Sequence, residues 1–160
     1  MADLTKAGSQ ERTATLEEVV RRRADLHQAI MGLERAAAEP ASGREEQWQA
    51  GVIVALEEVE SEIVDHIEVT EREHGLYDQI TDVAPRLSRN IEVLRGEHPE
   101  MQAATSALRA RLASSPVRGD EAVAEARVAI DQVVAQLVSH RRRGADLLWE
   151  AYSLDTGGGE

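Results

Sequence analysis

The 160-residue chain has no cysteine and no phenylalanine, and its only aromatic side chains are Trp48, Tyr77, Trp149 and Tyr152. Without cysteine there is no thiolate nucleophile, no disulfide and no Cys-ligated zinc or iron–sulfur site. Lys6 is the sole lysine, and almost all the basic residues are arginine. No apolar run approaches the ~18 residues that a membrane span needs. The stretch Met1–Lys6 lacks the apolar segment of a secretory leader, so a cytoplasmic protein is expected. Basic residues number 18 against 30 acids, for a net charge of −12. Phosphate backbones and anionic bilayers would be repelled, so neither nucleic acid nor membrane is an expected partner. No nucleophile elbow, phosphate-cradling loop or Ser–His–Asp grammar is present. The Gly157-Gly158-Gly159 run trails a helix and does not join a strand to one, so it has no phosphate-loop meaning.

Alanine, valine, leucine, glutamate and arginine fill the chain instead, a composition that favours helices packed through aliphatic side chains. Residues 1–13 are polar and aperiodic and read as a flexible tail. Thr15 with Glu18 has the form of a capping box, opening a first helix whose stripe is Leu16, Val19/Val20, Arg23, Leu26/His27, Ile30 and Leu33. Ser42 to Glu45 repeats that form before a second stripe: Trp48, Val52, Leu56, Val59, Ile63, His66 and Thr70. Gly75 marks a break, and Leu76–Ile80 reads as a short extra turn over the bundle end.

Pro85 suits the first turn of the third long helix, with Leu87, Ile91, Leu94, His98, Met101, Thr105, Leu108 and Leu112 inward. Pro99 is expected to kink it beside His98. The fourth begins near Asp120 and carries Val123, Ala126, Ile130, Val133/Val134, Leu137, His140, Gly144, Leu147/Leu148 and Ala151. The expectation is an all-α, antiparallel up-and-down four-helix bundle over residues 14–154, with 155–160 a flexible end.

Each predicted long helix carries one histidine on its inward, apolar side: His27, His66, His98 and His140. His74 falls off the stripe and reads as surface. A lone inward histidine is usually a hydrogen-bonded core residue, but four together weaken that reading. Neutral imidazole is a good ligand for iron, zinc, copper or nickel, and a bundle interior can bring ligands from facing helices to one point.

The order His27, then His66-Ile67 with acids following, then Glu97-His98, then His140 resembles the hemerythrin-like HHE cation-binding family, over about Thr15 to Leu154. That resemblance implies a four-helix bundle holding a non-haem di-iron centre for oxygen binding, sensing or peroxide chemistry. It also implies a carboxylate four residues after the second and fourth histidines. Here those positions hold Thr70 and Gly144, and neither can bridge two irons. Glu71 and Asp146, at +5 and +6, turn away from the faces of their own helices' histidines. Two adjacent dications without a bridging anion repel.

The reading is therefore a degenerate member of such a family, holding one metal weakly or none, with a sensing or interaction role. Its expected ligands are His27, His66, His98 and His140, with Glu62 one turn before His66 as a chelating partner. Iron, mono- or dinuclear, is the expected cofactor, and a metal-free protein is the alternative. Two other functions stay open. One is an active di-iron enzyme for oxygen or peroxide using Glu62, Glu71 or Glu73 in shifted positions. The other is a structural or adaptor bundle, homodimeric or protein-bound through Trp48 or Trp149. Arg23, one turn from His27, would oppose a cation and compete for Glu62.

Overall fold

The computed structural model describes residues 2–153. Among them there is no strand, and five helices follow in order: α1 (Ala2–Ala38), α2 (Glu45–Glu71), α3 (Leu76–Val83), α4 (Ser88–Ser114) and α5 (Gly119–Tyr152). The long helices α1 and α4 each pack against both α2 and α5, so the four close a ring around a shared interior. The short α3 packs on α1 and α2. No helix is long and apolar enough to cross a membrane.

The stripes on α2, α4 and α5 are buried as the periodicity predicts. On α4 the inward residues recur at alternating steps of three and four from Leu87 to Leu112, the seam of a helix that faces a partner along its whole length. Gly75 begins α3, and a Cβ there would lie 2.7 Å from the Arg72 carbonyl oxygen, so only glycine fits. Before it, His74 adopts a left-handed φ of 59°, and its N–H is held by Asp78 at 2.9 Å.

Helix starts differ from expectation. The aperiodic residues predicted as a tail already belong to α1, which runs from Ala2, and Thr15 is buried in mid-helix and is not a cap. Periodicity reports burial. It is silent on a polar helical segment such as Lys6–Thr13, which is exposed almost throughout. Ser42 caps nothing either; α2 starts three residues later, with Glu45 reaching back to the Gly43 N–H at 3.3 Å. Pro85 opens a single 3₁₀ turn before α4. Helix α4 carries on through Pro99, whose missing N–H leaves the Arg95 carbonyl without its helical donor. The segment predicted as a C-terminal tail, 155–160, lies outside the described residues.

Two apolar clusters fill the interior. One gathers Leu26, Ile30 and Leu33 with Val52, Leu56, Val59 and Ile63, Met101, Leu108 and Leu112, and Ile130 and Leu137. The other gathers Val19, Val69, Leu76, Tyr77, Ile80, Ile91, Leu94 and Leu147. On each long helix the chain crosses from one cluster to the other over a short polar interval. The intervals are Val19 to Leu26 on α1, Ile63 to Val69 on α2, Leu94 to Met101 on α4 and Leu137 to Leu147 on α5. The candidate site lies in that interval.

Candidate metal centre

Three seam positions in the polar layer are histidines: His66 on α2, His98 on α4 and His140 on α5, exposed by 5%, 1% and 2%. Their rings stand edge to face, with centroids 4.9–5.2 Å apart. One nitrogen from each converges, and the three lie within 4.8 Å of one another. His66 Nε2 and His140 Nε2 are 3.1 Å apart.

That separation can be compared with a coordination edge. Metal–nitrogen bonds of about 2.0–2.1 Å place adjacent ligand atoms roughly 3.3–3.4 Å apart in a tetrahedron and about 2.9 Å apart in an octahedron. The observed edge falls between the two. It also suits an N–H···N hydrogen bond, so one ring arrangement serves the metal-free and the loaded protein.

The far nitrogens decide the tautomers. Glu71, the last residue of α2, pairs with His98 Nδ1. Glu97 Oε2 accepts from His140 Nδ1 at 2.6 Å, while its other oxygen pairs with Arg143 at 2.6 Å. A carboxylate only accepts, so both histidines carry their proton on Nδ1 and turn the Nε2 lone pair inward. Carboxylates behind imidazoles in this way orient metal ligands and raise their basicity. His66 Nδ1 is buried with no partner.

Burial pushes the His66 imidazole well below its ordinary 6.5, helped by the neighbouring His140 and His98 rings and by Arg23 and Arg141. Burial also lowers His98 and His140, against the opposing pull of Glu71 and Glu97. All three rings are therefore neutral at pH 7, the form that binds metal.

Oxygen donors flank the rings. The Tyr77 hydroxyl lies 3.4 Å from His98 Nε2, with its ring stacked on the imidazole. Burial raises this phenol far above its usual value, so it is a neutral donor here. Thr70 Oγ1 donates to the His66 carbonyl at 2.8 Å, a bond within its own helix.

Two expected ligands are elsewhere. His27 is exposed on α1, because the α1 seam runs Val19, Leu26, Leu33 and one step of 100° past Leu26 turns His27 to solvent. Its seam counterpart at the histidine level is Arg23. Glu62 is outside the converging group. Its carboxyl is raised first by burial and then by Asp25 and Asp65, so it faces acids and Arg22 along the α1–α2 groove. Arg23 does not reach it, and donates instead to the Arg141 carbonyl. Among the other acids considered, Glu73 and Asp146 are exposed, and Glu71 stands behind His98 on the neighbouring helix. Trp48 is buried, with its indole N–H on the Ala37 carbonyl at 3.2 Å, and offers no surface to a partner; Trp149 is 70% exposed.

Glu97 and Tyr77 were not singled out as site residues by sequence reasoning. An acid immediately before a seam histidine points about 100° round the helix toward the next one, and that offset is the signal for Glu97. Tyr77 had only the scarcity of aromatics to mark it.

The donor set decides which ions suit. Three neutral nitrogens fit borderline ions such as Zn(II), Cu(II), Ni(II), Co(II) or Fe(II), and do not fit calcium or magnesium, which take oxygen ligands. Among the described residues, no acidic oxygen joins the three imidazole nitrogens in the converging group. Compared with known proteins, the chain matches no family model, no curated sequence and no solved structure.

Proposed function

We propose that this protein binds one first-row transition-metal ion, iron among them, through Nε2 of His66, His98 and His140. The observation that carries the reading is the convergence of three buried, neutral imidazoles, two of them backed by carboxylates that hold the inward lone pair in place. In this reading Glu71 and Glu97 are orienting groups, and Tyr77 stands where a fourth donor or an incoming ligand would be met. A bound ion would supply Lewis acidity or one-electron chemistry. The chain's own part is to hold the rings neutral, dry and aimed.

The proposed frame is an antiparallel, hemerythrin-like bundle reduced to a single ion. The links at 39–44 and 115–118 are short, and short links between packed helices favour antiparallel neighbours. Thr70 and Gly144 stand where bridging acids would be needed, and the α1 position at this level is a cation, which supports one ion over two. The role is sensing or holding a metal. A purely structural layer is the second reading, favoured by the pairing of these groups among themselves: His66 with His140 and Tyr77 with His98.

Elemental analysis and thermal melts of purified protein dialysed against Fe(II), Zn(II), Co(II) or Ni(II) separate these readings. One ion per chain is expected, with a melting temperature that rises on loading. An ion at a hundred times its dissociation constant adds about 2.7 kcal/mol. His98→Ala and His140→Ala should lose both effects. Two ions per chain would overturn the mononuclear reading, and no ion with an unchanged melt would leave the structural one.

A further inference from the structure

Arg23 of α1 lies against α5 at Arg141 and Gly144, and neither Arg23 nor Arg141 has an acid to balance it among the described residues. Arg23 occupies the α1 seam position of the polar layer, half-buried. Its Nη2 donates to the Arg141 carbonyl at 3.1 Å. Its Nη1 lies over Gly144, where a Cβ would come within 2.9 Å. Arg141, also half-buried, has a solvent-sealed Nε with no partner. Among the described residues, no carboxylate lies within ion-pair distance of either arginine, whereas Arg22, Arg72, Arg109 and Arg143 each have one. Arg127 is likewise half-buried without a carboxylate, but it spends its donors on the Ala37 and Glu39 carbonyls, whereas the Arg141 Nε has no partner at all, and half-buried charge ordinarily keeps one.

The layer itself repeats the imbalance. His98 and His140 have carboxylates behind them, but His66 has none, and its buried Nδ1 is without a partner. Gly144, one turn after His140, is what lets the Arg23 fork lie against α5, and any larger residue would displace it. Arg23, Arg141 and Gly144 are each partly exposed, so the arginine pair meets solvent.

We infer that Arg23 and Arg141 form the seat of a small carboxylate or oxyanion, held by guanidinium N–H groups beside the His66 face of the histidine layer. A guanidinium fork matches such an anion bidentately. The inference deepens the metal-binding reading: an ion on the three histidines adds positive charge next to the seat and tightens the anion, while the two arginines are present whether or not an ion is bound.

Formate is the probe, titrated calorimetrically at constant ionic strength into the full chain, metal-free and Co(II)-loaded, with the Co(II) visible spectrum as a second readout. One formate per chain is expected, bound more tightly by the Co(II) form and perturbing its spectrum. Arg23→Met should weaken it about tenfold or more while one Co(II) stays bound. Gly144→Ala keeps both charges and favours the helix, and should weaken formate by shifting the Arg23 fork; it carries the comparison if Arg23→Met fails to fold. Formate binding that is absent from both wild-type forms, or equally tight in both variants, overturns the seat. If wild type takes up no Co(II), the metal reading falls and the metal-free titration decides: binding that depends on Arg23 or Gly144 upholds the seat, and no binding ends it.

Discussion

Below the histidine layer, Leu26, Ile30, Leu56, Ile63, Met101, Ile130 and Leu137 interlock with essentially no exposure. One turn further along, the same helices put three imidazoles at the equivalent seam positions, equally buried and wired to Glu71, Glu97 and Tyr77. The helical geometry of the two levels is shared; their chemistry is opposed. An aliphatic layer stabilises by area removed from water and tolerates any residue of similar volume. A layer of imidazoles removes polar groups from water as well, and it stabilises only so far as each nitrogen finds a partner. The first level holds the bundle together. The second spends stability on ring orientation, which is the pattern expected of a binding site.

The contrast is broken most severely by emptying the aliphatic level. Leu56→Ala or Ile130→Ala should cost about 2–5 kcal/mol in chemical denaturation, while the folded fraction still takes up one ion per chain. A change confined to the polar level should do the reverse. Glu97→Gln keeps the shape behind His140 but removes the charge, and is expected to weaken metal binding about 10–100-fold with a much smaller change in the metal-free melt. If Glu97→Gln left affinity untouched, Glu97 would be a surface acid paired to Arg143 and nothing more.

Acid sharpens the difference. In the metal-free protein the folded values of His66, His98 and His140 lie below the ordinary 6.5. The unfolded chain therefore binds more protons than the folded one between 6.5 and those values. Stability is unaffected by these groups above about pH 6.5 and falls as pH drops below it. Burial sets the direction; Glu71 and Glu97 oppose it, and Arg23, Arg141, Arg143 and Arg95 reinforce it. Replacing all three histidines by leucine should flatten this part of the profile in denaturation midpoints. The smallest effect belongs to His27→Ala, within about 0.5 kcal/mol and without change in metal uptake. A loss of the ion there would restore a ligand role to α1.

The fold was legible wherever burial and helicity coincide. The stripes of α2, α4 and α5 follow directly from apolar spacing, and so do the inward turns of His66, His98 and His140. On α1 two residues competed for one seam position, and Leu26 went in because it loses less than histidine by leaving water. The same logic hides the first turns of α1, which are helical without being amphipathic. Glu71 and Glu97 were harder to read, because each serves a histidine on the next helix, and cross-helix pairs depend on relative height and rotation. Those are settled by how the rods pack, not by spacing along one of them. Glu62 failed for that reason: a chelate at i, i+4 is sound within one helix, but this face of α2 turns toward Asp25.

The three imidazoles hang from three different rods, and the fourth rod sends a guanidinium to the same height. An ion on those nitrogens would rivet α2, α4 and α5 together and leave α1 with no bond to it. Loading would then be felt unevenly: three staves cinched, the fourth held by its apolar seam, by the Arg22–Asp65 and Arg72–Glu18 pairs to α2 and its C-terminal cap, and by the Arg23 bond to α5. In such a barrel the unriveted stave keeps its place through other bonds, whether or not the rivet is in.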